Sequence, residues 1–142
     1  MDYELGSIQV TAELQNEEAQ EIRSLSEVSR KYDFLRERPK EHFYAVFLKS
    51  DNEVIGDKLI GLGGTEDTPA DVKDIARTAV LTNATAVILV HNHPSNNDEA
   101  TPEDKEATRN IKKGLELFDI DVLDHVIISQ DDHYSMKQHG DV

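Results

Sequence analysis

The chain has 142 residues, no cysteine, and 29 acids against 15 bases, for a formal net charge of −14. That length suits one domain with a real core. The composition leaves no thiolate for a disulfide or a metal and sets up a surface that repels phosphate backbones, against general nucleic-acid binding. Residues 7–13 are expected as a strand within an N-terminal segment, 1–15, ahead of a domain at 16–138 and a tail at 139–142. Both ends are expected to be mobile. Residues 17–36 have helical spacing, with Ile22, Leu25, Val28 and Tyr32 on one side. Strands follow at 42–49 and 53–61, joined by Ser50-Asp51-Asn52, and then a loop to Pro69. A helix over 71–82 places Val72, Ile75, Ala76, Ala79 and Val80 at core spacing. The continuous apolar run Ala86-Val87-Ile88-Leu89-Val90 reads as a buried strand. A helix from Pro102 to about Phe118 carries the stripe Ala107, Ile111, Leu115 and Phe118, and strands at 122–129 and 133–137 close the domain. Helices interleaved with strands make this an α/β domain.

No apolar stretch reaches the 18 residues needed to span a bilayer. Met1-Asp2-Tyr3-Glu4 lacks the basic and apolar regions of a secretory signal, so a cytoplasmic protein is expected.

The chemistry concentrates at the end of the apolar strand. His91-Asn92-His93-Pro94 follows it directly, and residues two apart on a strand point to one face. Pro94 would end the ladder. Thr101-Pro102-Glu103-Asp104 is a helix start, with Thr at the N-cap and Pro at the first helical position. Asp104, eleven residues after His93, would sit in the first turn and face back toward the histidines. Two neutral imidazoles and a carboxylate are three ligands for zinc, which in catalytic sites keeps a fourth position open. The letters HNH also name a nuclease motif, but its residues are spread across a ββα unit rather than adjacent.

A metal-activated water needs a general base. Glu41 lies in Lys40-Glu41-His42-Phe43, at the mouth of the apolar run 43–48. Spacing alone does not separate it from Glu53 or Glu66.

Glu41, then His91-x-His93, then Thr101-x-x-Asp104, resembles the JAMM (MPN-plus, JAB) metalloprotease signature. Further words narrow the resemblance to the RadC-like JAB branch: Gly64-Thr65, Asn83-Ala84, His91 to Ser95, Thr108, Leu123-Asp124-His125-Val126-Ile127-Ile128 and Tyr134-Ser135. It runs from about residue 20 to 140. It implies a single JAB/MPN-like (cytidine-deaminase-like) three-layer domain, with a mixed central sheet flanked by helices. It implies Zn2+ on His91, His93 and Asp104, and Glu41 as the base. Thr101 stands where the family usually has Ser and becomes an oxyanion donor as well as an N-cap.

The activity implied is that of a zinc-dependent metallopeptidase or isopeptidase on a protein or peptide substrate, with zinc-activated water attacking the amide. The alternatives are a non-catalytic zinc-containing interaction module and a DNA-repair accessory. The charge opposes the latter, and strong nucleic-acid binding is not expected. Longer relatives of the branch carry an N-terminal helix-hairpin-helix segment, which is not expected within these 142 residues.

The chain departs from the family pattern in places. Asn96 replaces a glycine but tolerates the left-handed region, Asp98 and Ala100 replace prolines, and Val72-Lys73-Asp74 replaces Pro-Arg-Glu. Ser95 and Asp124 are further candidates to support the site or face the substrate. Successive strand residues face opposite ways, so only one of Asp124 and His125 can approach the site directly, and Asp124 is preferred. A plain structural pair tying the strand to its neighbour is the competing reading of both.

Overall fold

The sheet is built around the apolar run before the histidines, which is a strand buried along its whole length, Ala86–Asn92. In this computed structural model, which describes residues 2–15, 20–63 and 70–142, six strands form one mixed sheet. They are β1 (Gln20–Glu21), β2 (His42–Leu48), β3 (Glu53–Leu62), β4 (Ala86–Asn92), β5 (Asp121–Ile128) and β6 (His133–Ser135), in the order β1-β3-β2-β4-β5-β6. β4 and β5 are parallel, and the other neighbouring pairs are antiparallel. Parallel neighbours need a crossover, and α3 (Pro102–Glu116) supplies it.

Strand alternation sorts the core into two halves. Ala86, Ile88 and Val90 face Val28 of α1 (Leu25–Lys31), Tyr32, and Leu35 of the 3₁₀ turn Asp33–Glu37. Val87 and Leu89 face Ile75 and Ala79 of α2 (Val72–Leu81) and Ile111 and Leu115 of α3. Each fully buried aliphatic side chain contributes roughly 1.5–3 kcal/mol of transfer free energy. The result is the expected three-layer α/β domain. α2 and α3 approach closely where Gly114 meets Val72: a Cβ at Gly114 would stand 2.9 Å from Val72 Cγ1.

Local signals explain the element ends. Asp71 caps α2 by accepting from the Asp74 amide at 3.2 Å. Asn52, in the turn joining β2 to β3, adopts φ 64, and Asn96 adopts φ 62, so the turn after His93 tolerates the loss of glycine.

Three expectations need correction. Residues 7–13 form no strand and are exposed. The helix expected over 17–36 is only α1, because Ser24 caps it by accepting from the Glu27 amide at 3.4 Å and Gln20–Glu21 pair with β3 instead; residues 16–19 lie outside the described set. The C-terminal tail is tied down: the Asp141 amide donates to the Met136 carbonyl at 2.8 Å, and the Tyr134 hydroxyl donates to the Asp141 carboxylate at 2.8 Å. Among the described residues, no helix is long and apolar enough to cross a membrane.

Candidate metal centre

β4 aims its odd-numbered side chains at the α3 layer, so His91 emerges between β4 and α3 and is 2% exposed. The ladder runs one residue past the end of β4, since the His93 amide donates to the Ile128 carbonyl at 2.9 Å. That keeps His93 on the same face, 5% exposed. Phe43, opposite His91 on β2, lies against the His91 ring at 5.7 Å with an interplanar angle of 12°.

α3 brings the third group. Thr101 caps it, its hydroxyl oxygen accepting from the Asp104 amide at 3.1 Å. The Asp104 carboxylate answers by accepting from the Thr101 amide at 2.9 Å, closing a capping box. This fixes Asp104 with Oδ1 3.2 Å from His91 Nε2 and Oδ2 3.0 Å from His93 Nε2. The two Nε2 atoms are 2.9 Å apart. One ligand-type atom from each of His91, His93 and Asp104 falls within 4.8 Å of the others.

The chemistry of this donor set fits a cation. The His93 Nδ1 lies 2.8 Å from the Asn97 carbonyl oxygen, which can only accept, so the ring proton is spent there and Nε2 presents a lone pair. That lone pair, His91 Nε2 at 2.9 Å and the Asp104 carboxylate oxygens converge on one point, an arrangement that a cation would satisfy. His91, His93 and Asp104 can therefore hold a metal ion.

The site's electrostatics follow from burial and the shared carboxylate. Burial pushes the His91 imidazole below its ordinary value. Burial pushes His93 the same way, but the protonated ring could donate to both the Asp104 carboxylate and the Asn97 carbonyl and is favoured by the charges of Asp104 and Glu41, which outweighs burial and raises His93. Burial also opposes ionisation of Asp104, yet its contacts with both histidines and the Thr101 amide hold its carboxyl well below the usual carboxylate range.

Glu41 is half-buried and immediately precedes β2, where Phe43 stands opposite His91; its charge reaches His93. Glu53 lies at the far end of the sheet: its neighbour Val54 pairs with Leu48, which in turn pairs with Ala86, the end of β4 away from His91. Register thus separates two carboxylates that composition leaves equal. Glu66 lies outside the described residues. Ser95 is exposed in the turn after His93.

The preference for Asp124 over His125 does not hold. Asp124 accepts from the Ser135 hydroxyl at 2.6 Å and the Lys137 amide at 3.0 Å. It is His125, fully buried, that lies beside the site, with Nε2 2.6 Å from His91 Nδ1. A bulge in β5 at this point shifts the register between Val87 and Ile88, so His125 falls beside Leu89 on the α3 face.

Two further residues carry roles that sequence reasoning did not assign. Thr108 contacts His125, and its spacing of four from Asp104 on α3 was the available signal. Asn92, between the two histidines, accepts from the His42 amide at 2.7 Å and donates to the Leu35 and Lys40 carbonyls at 3.2 and 3.1 Å. It pins the segment that carries Glu41 onto β4.

Comparison with known proteins agrees with this architecture. A family model described as a RadC-like JAB domain matches residues 22–141. The chain belongs to the RadC-like JAB domain family. A UPF0758 protein of Pseudomonas fluorescens is 38% identical over 106 residues, covering 75% of this chain and 47% of that protein. One from Methanosarcina acetivorans is 32% identical over 109 residues, 77% of this chain and 48% of the relative. One from Streptococcus gordonii is 33% identical over 140 residues, 98% of this chain and 61% of the relative. The chain spans about half the length of most of the curated relatives it matches.

Proposed function

We propose that this protein is a zinc-dependent metallopeptidase or isopeptidase that hydrolyses an amide bond in a protein or peptide substrate. The observation that carries the reading is the convergence of His91, His93 and Asp104 within 4.8 Å, with the charge of Glu41 reaching the same group. Two nitrogens and one carboxylate are the ligand set of a catalytic zinc site that keeps a position open. When bound, zinc supplies Lewis acidity, lowering the pKa of water to about 7 and polarising a carbonyl oxygen.

The chain's own residues do the rest. Glu41 takes the proton from the attacking water and returns it to the departing amine, a contribution of roughly 10²–10⁴ in rate. Thr101 accepts at the helix cap, which leaves its hydroxyl hydrogen to donate to the developing oxyanion. Asn92 holds the Glu41 segment against the strand that bears both histidines.

The test combines metal analysis with assays of peptide and isopeptide cleavage. Wild type should carry about one zinc per chain, as a three-ligand site implies. Glu41→Gln should keep the zinc and lose roughly 10²–10⁴ in turnover, whereas Asp104→Asn should lose the zinc itself. Full zinc content in a double His91/His93 alanine variant would sink the site. Undiminished turnover in Glu41→Gln would place the base elsewhere. Zinc without any amide hydrolysis would favour a zinc-containing interaction module.

A further inference from the structure

Behind His91 lies a buried polar chain that the proposed chemistry does not use. His91 Nδ1 is 2.6 Å from His125 Nε2. His125 Nδ1 is 2.6 Å from Thr108 Oγ1, which is 2.8 Å from the Asp104 backbone carbonyl oxygen. His125 and Thr108 are 0% and 1% exposed, so protein groups rather than bulk water settle their hydrogen bonds.

The proton order follows from what each atom can do. A carbonyl oxygen only accepts. The single hydroxyl hydrogen of Thr108 therefore goes to Asp104, since the opposite choice would set two oxygen lone pairs against each other at 2.8 Å. Thr108 Oγ1 must then accept from His125 Nδ1–H. That leaves His125 Nε2 with a lone pair, which accepts from His91 Nδ1–H. His91 keeps its own lone pair on Nε2, the atom that faces His93 and Asp104. Reversing the chain would put a proton on His91 Nε2, in the middle of the donor cluster.

We infer that Thr108 and His125 are positioning residues that fix His91 in the tautomer able to ligate metal. This rests on the metal-site reading above, and not on the substrate. The chain closes on itself: the residue whose carboxylate joins the donor cluster also supplies, through its backbone carbonyl, the acceptor that sets the relay's direction. Metal-ligating histidines generally hand their second N–H to a carboxylate, a carbonyl or water. Here the acceptor is a neutral ring, held from one side by Phe43 at 5.3 Å and 71°.

The experiment measures zinc affinity by chelator competition in wild type, Thr108→Val, Thr108→Ser and His125→Phe, with folding checked by circular dichroism. Thr108→Val and His125→Phe should bind about 10–100-fold more weakly, and Thr108→Ser, which restores the hydroxyl, should stay within about threefold of wild type. Folded Thr108→Val and His125→Phe with wild-type affinity would overturn the relay, as would Thr108→Ser as weak as Thr108→Val. Wild type that binds no zinc would instead overturn the metal reading, and the relay's purpose with it. A second measurement needs no variant. Two-bond proton–nitrogen NMR correlations in chelator-stripped wild type should place the ring protons of both His91 and His125 on Nδ1. A proton on Nε2 of either ring would overturn the inference.

Discussion

His93 is the ligand candidate at which protons compete hardest with a metal. Asp104, the Asn97 carbonyl and Glu41 together raise it above the ordinary histidine value of 6.5 despite its burial. His91 moves the other way through burial, and Asp104 stays ionised. A protonated ring has no lone pair to give, so metal affinity should be full above the raised His93 value and fall as pH drops through it. One proton should be taken up, about a tenfold loss per pH unit below that point. Chelator competition between about pH 8 and pH 5.5 reads this directly, and a flat profile would show that His93 is not a ligand. The three candidate ligands were legible because strand period and helix capping each carry a direction: two apart on a strand, third in a helix. His125 was not, because the bulge in β5 breaks the alternation that any count along the sequence assumes.

At the scale of elements, the join between β4 and the segment before β2 matters most. Asn92 spans it, tying the His42 amide and the Leu35 and Lys40 carbonyls to the central strand. Asn92→Leu keeps the volume and leaves those backbone groups unsatisfied. It should destabilise the protein by about 1–3 kcal/mol, and it should lower turnover with zinc retained, since Glu41 moves and the ligands do not. Denaturant unfolding and metal analysis check the two halves; unchanged stability would mean the clamp is dispensable. β2, β3, β4, α2 and α3 were readable within a residue or two because each has an uninterrupted period and a marked end. α1 was overextended because Ile22 and Leu25 happen to keep helical spacing across the break at Ser24, while the Ser24-x-x-Glu27 start signal stood in the same stretch.

For the molecule as a whole, the net charge of −14 sets its long-range field. Random duplex DNA should bind no more tightly than ordinary non-specific contacts, Kd roughly 10⁻⁴–10⁻⁶ M at physiological salt. Sub-micromolar, salt-sensitive binding in a fluorescence anisotropy titration would revive a nucleic-acid role. The sheet's central strand has another consequence. β4 is paired on both sides and buried from Ala86 to Asn92, so the strand that positions the two histidines should stand before any metal arrives. The third donor reaches them across the turn and exposed loop of residues 94–100. Backbone amides should reveal this division in heavy water. After chelator treatment, residues 86–92 should remain among the slowest to take up deuterium, while the largest acceleration should fall within residues 94–104. Rapid uptake through 86–92 on metal removal would mean that the ion organises the strand, rather than settling onto a bench already built.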